Sequence, residues 1–323
     1  MRVVQATRFG SPEVLVMSEA PDPVAGPGQV VVAVGVAHVL FVETQIRRGW
    51  GGEYFTVQPP YVPGDGVAGQ VRAVGEGVDP GWVGRRVVTR TGERGGYATQ
   101  AVALVEGLIP VPEGLGLREA AALLHDGPTA LGLAEGARMR PEEWVLVVGA
   151  GGGLGLLLVQ LAHAADARVI GAAHGQRKLD LAREVGADAV IDYAETGWAE
   201  QVRVATGGAG PDVVFDGVGG EVGRAAFEIT ARGGRFSAHG APSGAFTTID
   251  PHEAERRGVT VRGIEQVQFA PAEAQRLTER ALAEAASGRL RPVIGQTFPL
   301  ERAAAAHAAM EARGVIGTTL LLI

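Results

Sequence analysis

Apolar positions along this chain follow two regimes. Before Pro110 they come as short valine-rich runs, such as residues 29–36 and 67–74, punctuated by glycine and proline, which predicts an irregular, β-barrel-like domain. From Leu117 to Ala137 the spacing turns helical, and Pro128 is expected to interrupt it. Strand-like and helical segments then alternate. Residues 145–148 precede a glycine turn and a helix over 156–165, and residues 167–173 precede a helix carrying Arg177 and Lys178. Three further runs follow: 190–193, 212–216 ending in Gly217-Val218-Gly219-Gly220, and 234–240 ending in Gly240. Such alternation predicts an α/β domain with a doubly wound parallel sheet, its ligand lying along the C-terminal ends of the strands. The last segments, 288–294, 300–312 and 318–323, read as a strand, an alanine-rich helix and a strand that rejoin the first domain. Residues 121–264 would thus be inserted into a domain made of 1–120 and 265–323.

The glycine turn carries the first chemistry. In Val148-Gly149-Ala150-Gly151-Gly152-Gly153-Leu154-Gly155, small residues let a pyrophosphate approach the backbone N–H groups of Gly149, Gly152, Gly153 and Leu154 at a helix N-terminus. Residues 144–165 contain no Asp, Glu, Lys or Arg over 22 positions, long enough to span a bilayer. Five central glycines, each weakening a helix by about 1 kcal/mol, favour a buried strand–turn–helix unit instead.

Composition narrows the classes. At 323 residues with 46% apolar content the chain can bury two cores, and a net charge of −7 argues against a nucleic-acid surface. Without cysteine it has no disulfide and no thiolate metal site. His38, Glu43 and Asp65 could in principle gather a metal, but polar residues at the edge of a cleft are the plainer reading, so no metal is expected. The first residues enter a strand-like pattern directly, which leads us to expect a cytoplasmic protein with no membrane association. NAD-binding domains of this kind end their second strand in Asp or Glu; here Ala173 stands there, followed by His174-Gly175-Gln176-Arg177-Lys178, which contains the sole lysine of the chain. Two cations without an acid suit the 2′-phosphate of NADPH, with a solvated helix face as the alternative.

A run of short segments then falls into one order: Pro63-Gly64-Asp65-Gly66-Val-Ala-Gly69, Gly84-Arg-Arg-Val-Val, Gly95-Gly-Tyr-Ala98, Gly127-Pro-Thr-Ala130, the glycine turn, Gly186-Ala-Asp-Ala-Val-Ile-Asp-Tyr193 and Phe215-Asp-Gly-Val-Gly-Gly220. In this the chain resembles the zinc-free quinone oxidoreductase branch of the medium-chain dehydrogenase/reductase family over nearly its full length. The resemblance implies a GroES-like catalytic domain, a Rossmann domain, a cofactor cleft between them, and NADPH-dependent reduction of a small-molecule quinone or activated alkene by a homodimer. Lys178 and Tyr193 match the family's 2′-phosphate contacts, His174 or Gly175 replaces a serine, and Thr129 matches a threonine beside the nicotinamide. Gly217, Val218, His239, Gly240 and Ile264 or Glu265 would bound the nicotinamide end. An exposed edge segment, residues 259–264, would extend the sheet across a two-fold axis.

The chain also departs from its relatives. Leu40 stands where asparagine is usual, Glu43 where aspartate is usual, and Thr318 where lysine is common. Tyr54, with Tyr61 nearby, is the expected proton donor to a carbonyl becoming an enolate, against the alternative that both rings only shape the pocket. Two other functions are compatible with these motifs: an enoyl-thioester or specialised-metabolite reductase, and a non-catalytic NADPH-binding sensor.

Overall fold

The computed structural model describes residues 1–50, 55–92 and 94–323, and these fall into two compact units: residues 1–125 with 278–323, and residues 126–277. In chain order the first unit contributes β1 (Arg2–Ala6), β2 (Leu15–Glu19), β3 (Gln29–Val39), α1 (Phe41–Arg47), β4 (Gly66–Val74), β5 (Arg86–Arg90), β6 (Gln100–Leu104) and β7 (Ile109–Pro110). Helix α2 (Leu117–Ala137) leads into the second unit, built from β8 (Trp144–Val148), α3 (Gly153–Ala164), β9 (Arg168–Ala173), α4 (Gln176–Glu184), β10 (Ala189–Asp192), α5 (Trp198–Ala205), β11 (Val213–Asp216), α6 (Gly220–Ile229), β12 (Arg235–Ala238), α7 (Pro251–Arg257) and β13 (Thr260–Arg262). Helix α8 (Pro271–Ala286), β14 (Ile294–Pro299), α9 (Ala303–Glu311) and β15 (Thr318–Leu322) complete the chain.

The valine-rich runs of the first unit form a sheet of order β14-β15-β3-β4-β5-β7, with β6 also pairing β3. β15 lies antiparallel to β3, Leu320 opposite His38, so the C-terminal strand does join the sheet of the N-terminal segments. β3 and β4 pair through two register shifts, between Val31 and Val32 and between Val34 and Val36. Such irregularities bend a sheet toward closure. Val34, Ala37, Val39, Tyr97, Leu300 and Ala306 belong to one buried cluster, and Val30, Val32, Val71 and Val87 to another. The strand expected over residues 288–294 starts later: β14 begins at Ile294, where its pairing with β15 begins, while β15 starts at Thr318 as the sequence suggests.

The second unit is a six-stranded sheet of order β10-β9-β8-β11-β12-β13, parallel at every pairing. This is the doubly wound arrangement, in which the connections from β8 and β11 leave toward opposite faces and open a crevice at the strands' C-terminal ends. Its core holds Leu146, Ile170, Val214, Phe227 and Phe236.

Helix α2 runs through Pro128 without a break. The proline lacks the N–H that would bond to the Leu124 carbonyl, a loss that costs about 3 kcal/mol in an exposed helix. Buried Ala121, Leu123, Ala130, Leu131 and Leu133 on either side offset that cost by packing. Among the described residues no helix is long and apolar enough to cross a membrane.

Candidate active site

In the second unit the glycine turn between β8 and α3 is shaped for close approach. Gly149 sits at φ +88°, a conformation disfavoured for residues with a Cβ, and its N–H and that of Ala150 both donate to the Ala172 carbonyl at 2.9 and 3.0 Å. A side chain on Gly155 would place Cβ 2.3 Å from the Gly149 oxygen, so α3 packs on the turn only because that position is bare. Gly153 and Leu154 open α3, and their N–H groups, lacking a carbonyl four residues earlier within the helix, point out of its N-terminus. These donors, with the positive end of the helix dipole, fit a pyrophosphate.

At the ends of β9 and β10 the site acquires its charges. Gly175 caps α4 at φ +95°, Arg177 is exposed, and Lys178 is half-buried in the first turn of α4. The Lys178 stem lies over Gly151: a Cβ there would come within 2.6 Å of its Cβ and Cγ. Lys178 is thereby held against the phosphate turn. Sequence reasoning missed Asp192, the last residue of β10. Its carboxylate accepts from the N–H groups of Gly175 (3.0 Å) and Ala194 (2.9 Å) and lies 3.2 Å from His174 Nδ1. Burial opposes its ionisation, but these hydrogen bonds prevail and hold it below the usual carboxylate range. The Gly175 N–H is therefore engaged by Asp192. Tyr193 follows directly, half-buried against the core.

The ends of β11 and β12 bring together Gly217, Val218, His239 and Gly240. Asp216, fully buried, accepts from Val218 N–H (3.0 Å) and Gly219 N–H (2.9 Å), and its carbonyl accepts from His239 and Gly240 N–H at 3.1 Å. Gly240 packs so closely that a Cβ there would lie 2.3 Å from the Gly217 oxygen, and Val218 reaches Gly149 across the sheet. His239 Nδ1 lies 3.0 Å from Ser237 Oγ, and burial pushes the imidazole down to about 4, so the ring is neutral at pH 7. Thr129 is half-buried inside α2, one residue past Pro128. Ile264 begins a single 3₁₀ turn, residues 264–267, after β13.

The first unit holds a second group of polar residues. Leu40 is the N-cap of α1 and offers no side-chain acceptor to the first-turn N–H groups, while Glu43, at the third helical position, accepts from Leu40 N–H at 3.0 Å, the reach-back half of a capping box. Glu43 also accepts from Asp65 N–H (3.2 Å) and Tyr97 Oη–H (2.7 Å). Tyr97 Oη lies 3.0 Å from His307 Nε2, whose Nδ1 is 3.3 Å from Arg47 Nε, and Arg47, wholly buried, pairs with Glu311. Burial pushes Glu43 up to about 7 although the Tyr97 and Leu40 hydrogen bonds pull the other way, and burial drives His307 down to about 3. Asp65 Oδ2 is 3.0 Å from His125 Nε2 and 3.5 Å from Arg90 Nε. The His125 ring fills the space beside Gly66, where a Cβ would stand 2.3 Å from it, and meets His38 edge-on at 5.6 Å. His38, Glu43 and Asp65 do not converge as a metal set: no group of three or more His, Cys, Asp or Glu with that geometry occurs among the described residues. Tyr61 is buried at a bridge to Ala6, and Tyr54 lies outside the described residues.

The same organisation recurs in known proteins. Residues 26–113 match the alcohol dehydrogenase GroES-like domain and residues 153–283 the zinc-binding dehydrogenase domain. Quinone oxidoreductase of Sus scrofa is 32% identical over 328 residues, spanning 100% of this chain and 98% of that protein. 2-Haloacrylate reductase of a Burkholderia species is 33% identical, over 97% of this chain and 96% of that protein. The structure of Escherichia coli quinone oxidoreductase complexed with NADPH superimposes with a TM-score of 0.92 at 27% identity, covering 100% of both chains. With its GroES-like unit, its parallel-sheet Rossmann unit and relatives of this identity over its whole length, the chain belongs to the quinone oxidoreductase branch of the medium-chain dehydrogenase/reductase family.

Proposed function

We propose that this chain is a zinc-independent oxidoreductase that uses NADPH to reduce quinones and other α,β-unsaturated carbonyls. The observation that carries the reading is the C-terminal edge of the parallel sheet: first-turn N–H groups of α3 for a pyrophosphate, and Lys178 laid over Gly151 for an additional phosphate charge. Lys178, with Arg177 and His174, would hold the 2′-phosphate, and Tyr193 would border the adenosine. Gly217, Val218, His239 and Gly240, with Thr129 and Ile264, would bound the nicotinamide, and neutral His239 adds a polar edge without a charge. When bound, NADPH supplies the hydride; the chain's own part is to orient the acceptor, exclude water and supply or stabilise the balancing proton and charge. Tyr54 is a candidate for hydrogen bonding to the acceptor carbonyl.

The 2-haloacrylate reductase relative favours activated alkenes as a substrate class beside quinones. Exposed β13, at the end of the sheet, supports a homodimer formed by strand pairing across a two-fold axis. The test is NADPH consumption with benzoquinone, naphthoquinone, simple enones, haloacrylates and enoyl thioesters. Turnover with quinones or enones is expected. Tight NADPH binding with no turnover on any acceptor would instead identify a sensor.

A further inference from the structure

Asp216 ties together the chain segments that close the C-terminal ends of β11 and β12, all of them within the second unit. Its side chain is fully buried. Oδ1 accepts from the N–H groups of Val218 (3.0 Å) and Gly219 (2.9 Å), so the turn after β11 is folded around the carboxylate. The main-chain carbonyl accepts from His239 and Gly240, at 3.1 Å each, and fixes the chain as it leaves β12. Oδ2 accepts from the Thr247 hydroxyl and anchors the segment that follows. Residues 241–247 thus form a strap over the β11 turn: Ser243 N–H donates to the Val218 carbonyl and Gly220 N–H to the Ala245 carbonyl, both at 3.1 Å. Gly223 on α6 leaves room for this junction, since a Cβ there would overlap Thr247 Oγ1 and Asp216 Oδ2. Burial pushes the Asp216 carboxyl up, and its hydrogen bonds from Gly219, Thr247 and Val218 pull the other way. An apolar side chain would fill the space at less cost in desolvation. What the carboxylate supplies instead is one acceptor for donors from two separate segments.

We propose that Asp216 is the positioning residue for the nicotinamide end of the cofactor, holding the turn 217–219 and the segment 239–247 in one fixed relation. This rests on the NADPH reading above, in which Gly217, Val218, His239 and Gly240 bound the ring. Asp216 acts through the peptide groups it holds and does not itself meet the cofactor. Hydride transfer tolerates little displacement, because the reacting carbons must come within about 3–3.5 Å and a misplacement of about 1 Å costs on the order of 10²-fold in rate. The adenosine end is built from other segments, the start of α3 and the turn from β9 into α4. Loss of the carboxylate should therefore be felt at one end of the cofactor and not at the other.

The experiment compares calorimetric titrations of the full chain with NADPH and with adenosine 2′,5′-bisphosphate, a fragment that carries the 2′-phosphate end and no nicotinamide. Asp216→Ala leaves the Val218 and Gly219 N–H groups without their acceptor, so Kd for NADPH should rise at least ~10-fold. The Kd for the fragment should stay within about 2-fold, as for a site that shares no partner with the substitution. Hydrogen exchange over residues 217–220 should quicken, and kcat at saturating NADPH should fall by about 10²-fold. Asp216→Asn keeps an oxygen that can accept from both N–H groups and should recover most of the lost NADPH affinity. A role confined to stabilising the unit would weaken both ligands in parallel. Equal losses for NADPH and the fragment, or no loss for either, overturn the proposal. The binding comparison stands whether or not any acceptor is reduced, so failure of the reductase reading is seen separately, and a wild type that binds neither ligand overturns both. Should Asp216→Ala not fold, Thr247→Val, which removes a single donor, decides the question by the same comparison.

Discussion

Replacing Gly155 by alanine tests whether the phosphate turn depends on a bare helix surface. The added Cβ would stand 2.3 Å from the Gly149 oxygen and 2.9 Å from Ala150 Cα and Gly149 C, all backbone atoms that cannot swing aside. Overpacking of this kind costs about 1–3 kcal/mol, and the absence of a flexible neighbour puts it near the upper value. Alanine returns about 1 kcal/mol of helix propensity, leaving a net loss of ~2 kcal/mol. The second unit spans residues 126–277. For a unit of about 150 residues that loss is roughly a 6 °C fall in its melting temperature. Moving α3 off the turn also displaces the Gly153 and Leu154 N–H groups, so KM for NADPH should rise together with the loss of stability. Gly152→Ala is the control. Its Cβ meets only the Gly149 oxygen at 3.7 Å, an ordinary contact, at a position with φ −90°. Any loss of cap preference there is offset by the reduced freedom of the unfolded chain, so melting should stay within ~1 °C while KM rises at least several-fold, because the new methyl group stands where the pyrophosphate would approach. Calorimetry and initial rates on the two variants read both quantities. Unchanged stability in Gly155→Ala would refute the packing argument, and an unchanged KM in Gly152→Ala would refute the placement of the phosphate.

Lys178→Ala should lower kcat/KM for NADPH at least ~10-fold while leaving that for NADH nearly unchanged, since one charge-assisted contact is worth about 1.5–3 kcal/mol; an unaltered ratio of the two cofactors would show that Lys178 does not meet the 2′-phosphate. Leu40→Asn should give α1 the side-chain cap it lacks and raise stability by about 1 kcal/mol in denaturant titration, so a decrease would mean that apolar packing of Leu40 outweighs capping. The first unit should lose stability between pH 6.5 and 4.5. Burial holds His38 and His307 at about 3, so their neutral form favours the folded state above 6.5 and that advantage is lost as pH falls, whereas Glu43, raised to about 7, acts in the opposite sense, its contribution being full below 4.5 and lost as pH rises. These two histidines, joined in the same sense by His125, which burial also holds below its ordinary value, against one glutamate leave at least about one proton, or roughly 1.4 kcal/mol per pH unit or more, and a flat denaturation midpoint across this window would contradict the assignment.

Much of the second unit was legible because its determinants are local. A parallel strand reads as a continuous apolar run, each turn announces itself by glycine, and alternation with helices implies that the strands run parallel. The turns at Gly149 and Gly217 were placed correctly at strand ends for that reason. Asp192 was visible as a residue, but its part depends on β10 lying beside β9, which brings its carboxylate to the Gly175 N–H, 17 positions away. Pro128 misled because a propensity rule describes an isolated helix, while α2 is packed on both sides of the proline. The network of the first unit was out of reach altogether: Tyr97 meets His307 across 210 positions and Glu43 across 54, and no periodicity or motif reports such a meeting.

That network also bears on why a chain with Leu40 in place of the usual asparagine can still order the start of α1. An unpaired polar group buried near Glu43 would cost about 1–3 kcal/mol, so the carboxyl is tolerable only because donors converge on it from three other segments, Leu40, Asp65 and Tyr97. One of those donors is the N–H of Leu40 itself, the backbone group that a side chain three residues into the helix reaches back to in a capping box. Glu43, one methylene longer than the aspartate common in relatives, spans back to that N–H and forward to Tyr97 at once. Leucine at 40 and glutamate at 43 are thus physically coupled. The double substitution Leu40→Asn with Glu43→Asp should therefore be better tolerated than the sum of the two single changes, by about 0.5–3 kcal/mol as is typical of contacting pairs, and strict additivity in a double-mutant cycle would show that the two positions are not energetically coupled.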